Sequence, residues 1–325
     1  MKRILVSGAS GVVGYGALRS LRQAGQACFL VGTSIYDDSV APAFCDAFEL
    51  APPTGAPEYL EWLLDTLHRH RIDLLIPGIE VDMFHWLEHV VPIRATGAQP
   101  LLNTPELVKL CEDKWHFYQH LVAARVCCAI ESSLEQDYAD LVARFGLPFL
   151  LKPRRGFGSK GIVRVTSEAV FDQYREQLGS VLMAQPIVGT DDEEFTLSAF
   201  GDGAGGYFAC MTLRRYLSSA GFTEKGEVSD SAPFLSEVDA LCRVLRPLGP
   251  TNFQFRMLPQ GPKLLEINPR VSSSTSIRTA FGYNECAMSL DYFLDQRDPV
   301  QPAIRRGRAV RYTEEQIFYE DGVYL

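Results

Sequence analysis

The chain opens on a short apolar run, Arg3–Val6, that leads into the small-residue stretch SGASGVVGYG. Val12–Ala24 then reads as a helix stopped by Gly25, and Ala27–Gly32 reads as a second strand. Glu58–His70 carries Leu60, Leu63, Leu64 and Leu67 on one stripe, the spacing of an amphipathic helix. Asp73–Pro77 (DLLIP) is continuously apolar, as expected of a strand buried in a parallel sheet, and a helix follows at Met83–Val90. Leu101–Asn103 reads as a further short strand. Thr104 and Pro105 predict an N-cap and first turn, with a helix running to about Ala123.

After that helix the pattern changes. Leu147–Lys152, Ile162–Val165 and Ser180–Val188 read as strands, followed by Phe195–Phe200 and Gly206–Arg214 as antiparallel strands. Tyr216–Ser231 reads as polar and irregular, and Val238–Leu248 as a helix. Asn252–Leu258 and Lys263–Ile267 flank a Pro-Gln-Gly-Pro turn and predict a β-hairpin. Ser272–Thr279 begins a last helical region, and Gly307–Tyr319 looks like a terminal strand. The expectation is an α/β unit followed by α+β structure: residues 1–103 with a parallel sheet, 104–185 with a small lid, and 186–325 with an antiparallel sheet.

Composition narrows the class. A chain of 325 residues, 46% of them hydrophobic, has room for two or three packed units. A net charge of −9 and a pI near 5.3 argue against general nucleic-acid binding. The one dense basic run, Arg305, Arg306, Arg308 and Arg311, reads as solvated surface. The eight cysteines form no C-x-x-C pair, and most sit in apolar segments, which suits free thiols in a reducing cytoplasm rather than zinc. No apolar run reaches the ~18 residues of a membrane span. The apolar part of MKRILVSGAS is too short for a signal peptide.

Two glycine-rich turns carry candidate chemistry. Gly8, Gly11 and Gly14 lie after a strand and before a helix, the context of a dinucleotide fingerprint, with Asp37 and Asp38 downstream. An NAD(P)-dependent reductase or epimerase is therefore one reading. The other is that the glycines let the turn approach the helix closely. A reductase's Tyr-x-x-x-Lys pair is missing, since Val122 stands four residues after Tyr118. The second turn, Gly156, Gly158, Ser159, Lys160 and Gly161, lies between two strands, where converging backbone N–H groups can fold over phosphates. It leads into a strand and so is not a Walker loop.

Isolated polar residues add to this. Lys114 falls on the apolar stripe of Leu107, Leu110, Cys111, Tyr118 and Leu121, where a lysine must snorkel or meet an anion. Glu80 and Asp82 follow the DLLIP strand, at the carboxyl end where open α/β sheets bind ligands. They can hold a substrate ammonium or cap the following helix. His85 and His89 read as structural.

The hairpin concentrates the rest. Gln254, Glu266 and Asn268 are hard oxygen donors of the kind Mg²⁺ takes, and Arg270 can fork onto a phosphate. A surface hairpin with a polar face is the competing reading. Register separates the two. A two- or four-residue loop centred on Pro259–Pro262 sets Gln254 opposite Ile267, on the wrong face. A shared metal needs an odd loop or a bulge, for which Gly261 is the expected place.

GPTNFQF followed by LLEINPRVSSSTSI resembles the metal-binding segment of the ATP-grasp superfamily, and in particular the synthetase domains of the carbamoyl phosphate synthase large subunit. The resemblance covers roughly Pro105 to Leu294. It implies an ATP-grasp fold, ATP as substrate, and two Mg²⁺ ions on Gln254, Glu266 and Asn268, with Mn²⁺ able to substitute. It implies Arg270 at the transferred phosphoryl group, and Lys114 (in Asp113-Lys114) and Lys152 at the nucleotide phosphates. It makes residues 156–161 the lid, puts Ala184, Gln185 and Ile187 at adenine, and puts Glu194 at the ribose.

The chain departs from that pattern at two places. An acid usual at the hinge is replaced by Ala184 or Gln185, and Val228 stands where the carbamoyl phosphate synthase pattern has a histidine. The implied activity is an ADP-forming, carbon–nitrogen-bond-forming ligase. It joins a small carboxylate to an amine through an acyl phosphate, with no nucleic-acid or membrane partner and a homodimer left open. Carbamoyl phosphate synthase-like use of bicarbonate and ammonia is the alternative within the family.

Overall fold

The structure is a computed structural model, described here over residues 1–156 and 161–318. Its first part alternates strands and helices: β1 (Lys2–Val6), α1 (Val12–Arg22), β2 (Cys28–Ser34), β3 (Ala47–Leu50), α2 (Tyr59–His70), β4 (Leu74–Ile76), α3 (Glu80–Glu88), α4 (Val90–Ala95) and β5 (Gln99–Pro100). The strands form a parallel sheet in the order β3-β2-β1-β4-β5. Its central strands are buried on both faces, which is why they read as unbroken apolar runs. One edge strand is Gln99–Pro100; of Leu101–Asn103, expected as a strand, Leu101 still donates its N–H to the Leu75 carbonyl, but the segment is not part of a strand.

The glycine turn after β1 is shaped by packing. A Cβ on Gly14 would come within 2.3 Å of the Gly8 carbonyl oxygen, and one on Gly78 within 2.0 Å of the Ser7 carbonyl oxygen. Only glycine lets α1 and the β4–α3 turn sit this close to β1.

The next part holds α5 (Pro105–Glu112), α6 (Lys114–Ala123), α7 (Tyr138–Phe145), β6 (Phe149–Pro153), β7 (Val163–Val165), α8 (Glu168–Asp172) and β8 (Leu182–Pro186). The single helix expected to reach Ala123 is two helices, broken at Asp113. Asp113 leaves the helical region and caps α6, its carboxylate accepting from the N–H groups of Trp115 and His116. Strands β7-β6-β8 form a small antiparallel sheet. Phe149, Leu151, Leu182 and Ala184 point into its core. By strand alternation Leu150, Lys152, Met183 and Gln185 face the other way.

The last part contains β9 (Glu194–Asp202), β10 (Tyr207–Leu217), β11 (Thr223–Ser229), α9 (Ala232–Leu245), β12 (Leu248–Leu258), β13 (Gly261–Asn268), α10 (Thr275–Ala280), α11 (Glu285–Phe293) and β14 (Arg308–Val310). Its sheet runs β13-β12-β9-β10-β11-β14 and is antiparallel throughout. The segment expected to be irregular, Tyr216–Ser231, contains β11, whose alternating buried and exposed positions include Val228 against Leu213. The terminal strand is limited to Arg308–Val310, and Tyr319 lies outside the described residues. Arg305, Arg306 and Arg308 are exposed as expected, but Arg311 is anchored, its guanidinium donating to the carbonyls of Thr223 and Ser273.

The two faces of this sheet differ in chemistry. Phe195, Leu197, Phe253, Phe255 and Ile267 pack against Phe234, Val238, Leu241 and Leu245 of α9. The opposite parity carries Glu194, Thr196, Ser198, Asn252 and Gln254. Helices α10 and α11 cover one end of that polar face and also join Val271, Cys286 and Leu290 to the core of the parallel sheet. The rest of the polar face is left as the floor of a cleft.

Candidate active site

The polar strand positions meet because of one irregularity. β12 and β13 are joined by a two-residue loop, with Leu258 opposite Gly261 and Met257 opposite Pro262. That loop sits one position earlier than expected. Continued regularly, it would set Gln254 opposite Leu265. A bulge between Gln254 and Phe255 skips Leu265, so Gln254 lies opposite Glu266 and Asn252 opposite Asn268. The bulge is therefore at Leu265 rather than at Gly261. It turns four oxygen-bearing side chains to one face.

Their bonds are specific. With the Asn268 amide in the orientation its neighbours require, its Oδ1 accepts from Gln254 Nε2 (2.7 Å) and its Nδ2 donates to Glu266 Oε1 (3.3 Å) and Glu80 Oε1 (3.1 Å). Gln254 Oε1 accepts from Arg215 Nη2 at 2.7 Å. No group of three His, Cys, Asp or Glu side chains converges among the described residues. A divalent cation here would be held by the Glu266 carboxylate and the amide oxygens of Gln254 and Asn268. That donor set is all hard oxygen and fits Mg²⁺.

Arg270 follows the strand and reaches back to the parallel-sheet part, where its Nη2 donates to Glu80 Oε1 at 2.5 Å. Its Nη1 donates to the Val271 carbonyl, and its buried Nε has no partner among the described residues. Glu80 opens α3 and faces the cleft. Asp82, proposed with it as a substrate contact, is buried and accepts from Thr54 Oγ1 (2.5 Å) and the Tyr59 hydroxyl (2.8 Å). It serves the packing of α2 against α3 and does not reach the site.

Two cavities adjoin at these residues. The larger, of about 500 Å³, lies between the small sheet and the polar face and is lined by Lys152, Gln185, Ile187, Glu194, Gln254 and Glu266. The smaller, of about 60 Å³, lies between α3, α6 and β13, with Glu80 and Asn268 among its walls. Lys152 and Lys114 line both. Burial pulls the Lys152 ammonium below its ordinary range, and the nearby Glu266 charge opposes that pull. An anion in the cleft would relieve the same cost.

Lys114 does not snorkel along a continuous helix as the stripe suggested. It is the first residue of α6, and its Nζ donates to the Gly156 carbonyl at 2.6 Å. The break that puts it there is held by Asp113 and Arg154, whose Nη2–Oδ2 distance is 2.7 Å. Burial pushes the Asp113 carboxyl up, but the Arg154 bonds and the two helix amides outweigh it and hold the group below the usual value. Gly156 and Gly161, with φ of 114° and 74°, bracket the expected lid. Gly158, Ser159 and Lys160 fall outside the described residues.

The four expected base and ribose contacts are not all placed alike. Gln185 and Ile187 line the larger cavity. Ala184 does not: it is fully buried, and its N–H and C=O both bond Ser133. Strand alternation turns it into the core with Leu182, so it presents nothing to a base. Glu194 lines the cleft, but Arg215 and Arg256 already engage its two oxygens. Those two arginines went unnoticed in the sequence. The signal was available for Arg215, which shares strand parity with the buried Met211 and Leu213.

Residues 191–316 match the family described as ATP-grasp in the biosynthetic pathway with Ter operon. The carbamoyl phosphate synthase large chain of Thermotoga petrophila is 24% identical over 319 residues, covering 87% of this chain. This chain spans 28% of that relative's length. Among solved structures, N5-carboxyaminoimidazole synthetase from Staphylococcus aureus superposes with a TM-score of 0.71 at 16% identity, over 93% of this chain and 80% of that one. Biotin carboxylase from Campylobacter jejuni, in its β-γ-ATP complex, gives 0.73 at 15%, over 94% and 74%. The chain therefore has the ATP-grasp fold of these solved structures, matches an ATP-grasp family over residues 191–316, and is similar in sequence to the carbamoyl phosphate synthase large chain.

Proposed function

We propose that the protein is an ATP-dependent, ADP-forming ligase that joins a small carboxylate to an amine. The observation that carries this reading is the convergence of Gln254, Glu266 and Asn268 with Lys114 and Lys152 on one cleft between the small sheet and the polar face, with Arg270 bonded to Glu80 at its wall. The larger cavity is assigned to ATP, with Gln185 and Ile187 at the base, Glu194 at the ribose, and Lys114, Lys152 and the residues 156–161 at the phosphates. Glu266, Gln254 and Asn268 would hold Mg²⁺, whose charge would neutralise that of the phosphates.

The chemistry asks the protein for positioning and charge rather than a nucleophilic side chain. A carboxylate oxygen attacks the γ-phosphorus, the bond to the β-phosphate oxygen breaks, and ADP leaves. The amine nitrogen then attacks the acyl carbon, loses a proton, and expels inorganic phosphate. Arg270, with donors on a planar fork, would balance charge on the moving phosphoryl group. The bicarbonate alternative has less support, since Val228 is buried against Leu213 and brings no polar group to the cleft.

Trapping with hydroxylamine tests the reading. With ATP, Mg²⁺ and a panel of carboxylic acids, a hydroxamate should form together with ADP and phosphate. Release of AMP and pyrophosphate would overturn it, and ADP formed with bicarbonate and ammonia alone would favour the alternative.

A further inference from the structure

The Glu80–Arg270 pair is an unusual wall for a site that must admit an acid. It links the start of α3 to the segment after β13, and both side chains are 14% exposed. The side-chain hydrogen bonds of Glu80 within the described residues use Oε1, which accepts from Arg270 and from Asn268. Arg270 keeps a buried Nε with no partner among the described residues. A buried guanidinium N–H left unbonded is costly, and an anion beside it would satisfy it.

An acid that carries only negative charge would sit on the Arg270 fork next to the Glu80 carboxylate. That would leave the Glu80 carboxylate half-buried beside a second anion, which is strongly unfavourable. An acid that brings its own cation exchanges one ion pair for two. Its carboxylate meets Arg270 and its ammonium meets Glu80. The two charges must lie about as close as the pair they replace, as they do when one carbon separates them.

We propose that Glu80 and Arg270 form a clamp for a zwitterion, and that the acyl donor is an α-amino acid. This rests on the ligase reading of the same cleft. The clamp also gives the donor's own amine a role: held as an ammonium by Glu80, it has no lone pair and does not compete with the acceptor amine. The smaller cavity beside Glu80 is walled by Met83, Phe84, Phe117 and Leu121, and at about 60 Å³ it has room for roughly two water-sized groups. A small apolar side chain, as in alanine or valine, is the fit.

The test pairs each amino acid with its deaminated counterpart, alanine with propionate and valine with 3-methylbutanoate, and adds aspartate as a charged side chain. ADP release with hydroxylamine is measured in wild type and Glu80→Gln. Thermal shift with a non-hydrolysable ATP analogue reports binding of the same acids without turnover. Alanine or valine should outperform its deaminated partner by about 100-fold, because the site otherwise leaves a charged group unpaired. Glu80→Gln should erase most of that preference while the ATP analogue still binds. Equal use of deaminated acids, or a preference unchanged in Glu80→Gln, overturns the clamp. So does failure of every amino acid to bind. If an amino acid binds wild type and not Glu80→Gln, yet no acid yields ADP, the clamp stands and the ligase reading falls. A preference for aspartate overturns the side-chain assignment.

Discussion

Gln254 faces Glu266 across β12 and β13 because Leu265 is squeezed out of the ladder between them. One extra residue in one strand brings a carboxylate and a carboxamide to the same side of the sheet. Glu266→Ala should therefore abolish Mg²⁺-dependent ATP turnover. Its effect on folding should stay within about 1 kcal/mol, since no apolar side chain loses its packing. A thermal melt beside an ADP assay checks both halves, and full turnover in the folded variant would refute the metal assignment.

Lys152 and Lys114 both line the cleft but are held differently. Lys152 projects from the end of a strand, while Lys114 bonds a carbonyl at the edge of the lid segment. Lys152→Ala should weaken ATP binding by about 100-fold and Lys114→Ala by about tenfold, because a preordered donor loses less entropy on binding. Calorimetric titration of ATP–Mg²⁺ into each variant measures this. The reverse order would show that the lid contact dominates.

Asp113 ties the helix break to Arg154, and its carboxyl lies below the unfolded value of 3.8. A carboxyl with a depressed folded value stabilises the fold fully above the unfolded value. That contribution is lost as pH falls from 3.8 through the folded value. Asp113→Asn should cost about 2 kcal/mol at neutral pH, for a cap and a charged hydrogen bond. It should also flatten the acid limb of the stability profile. Chemical denaturation of both proteins from neutral pH down to the acid limb would reveal it, and parallel profiles would refute the assignment.

Gly14→Ala provides a test of the first glycine turn. Alanine is the better helix former, so propensity alone predicts a gain. The new Cβ would instead meet the Gly8 carbonyl oxygen at 2.3 Å. The expected result is a loss of about 2 kcal/mol from overpacking, with a lower melting temperature and no change in ATP binding by the folded fraction. A stabilised variant would remove the packing explanation for that glycine.

Much of this protein is legible in the chain itself, because the informative features are local. Strands between helices marked the parallel sheet, and the apolar run Leu74–Ile76 marked its buried centre. Gln254, Glu266, Asn268 and Arg270 stand out because oxygen ligands and an arginine interrupt short apolar runs. Where a site residue depends on strand parity, the alternation was also present in the chain. Leu182 and Ala184 face one way and Met183 and Gln185 the other, which removes Ala184 from the nucleotide site.

Tertiary structure alone decided the rest. Lys114 and Lys152 both line the cleft beside Glu266 only once Asp113 breaks a helix for Arg154, a partner 41 residues away. The bulge at Leu265 has no side-chain signature, because either register of β13 would place apolar residues on the core. The contact between Glu80 and Arg270 spans 190 residues. It exists because Val271 and the α11 residues Cys286 and Leu290 are buried against the first sheet, and that burial brings the carboxylate and the guanidinium together.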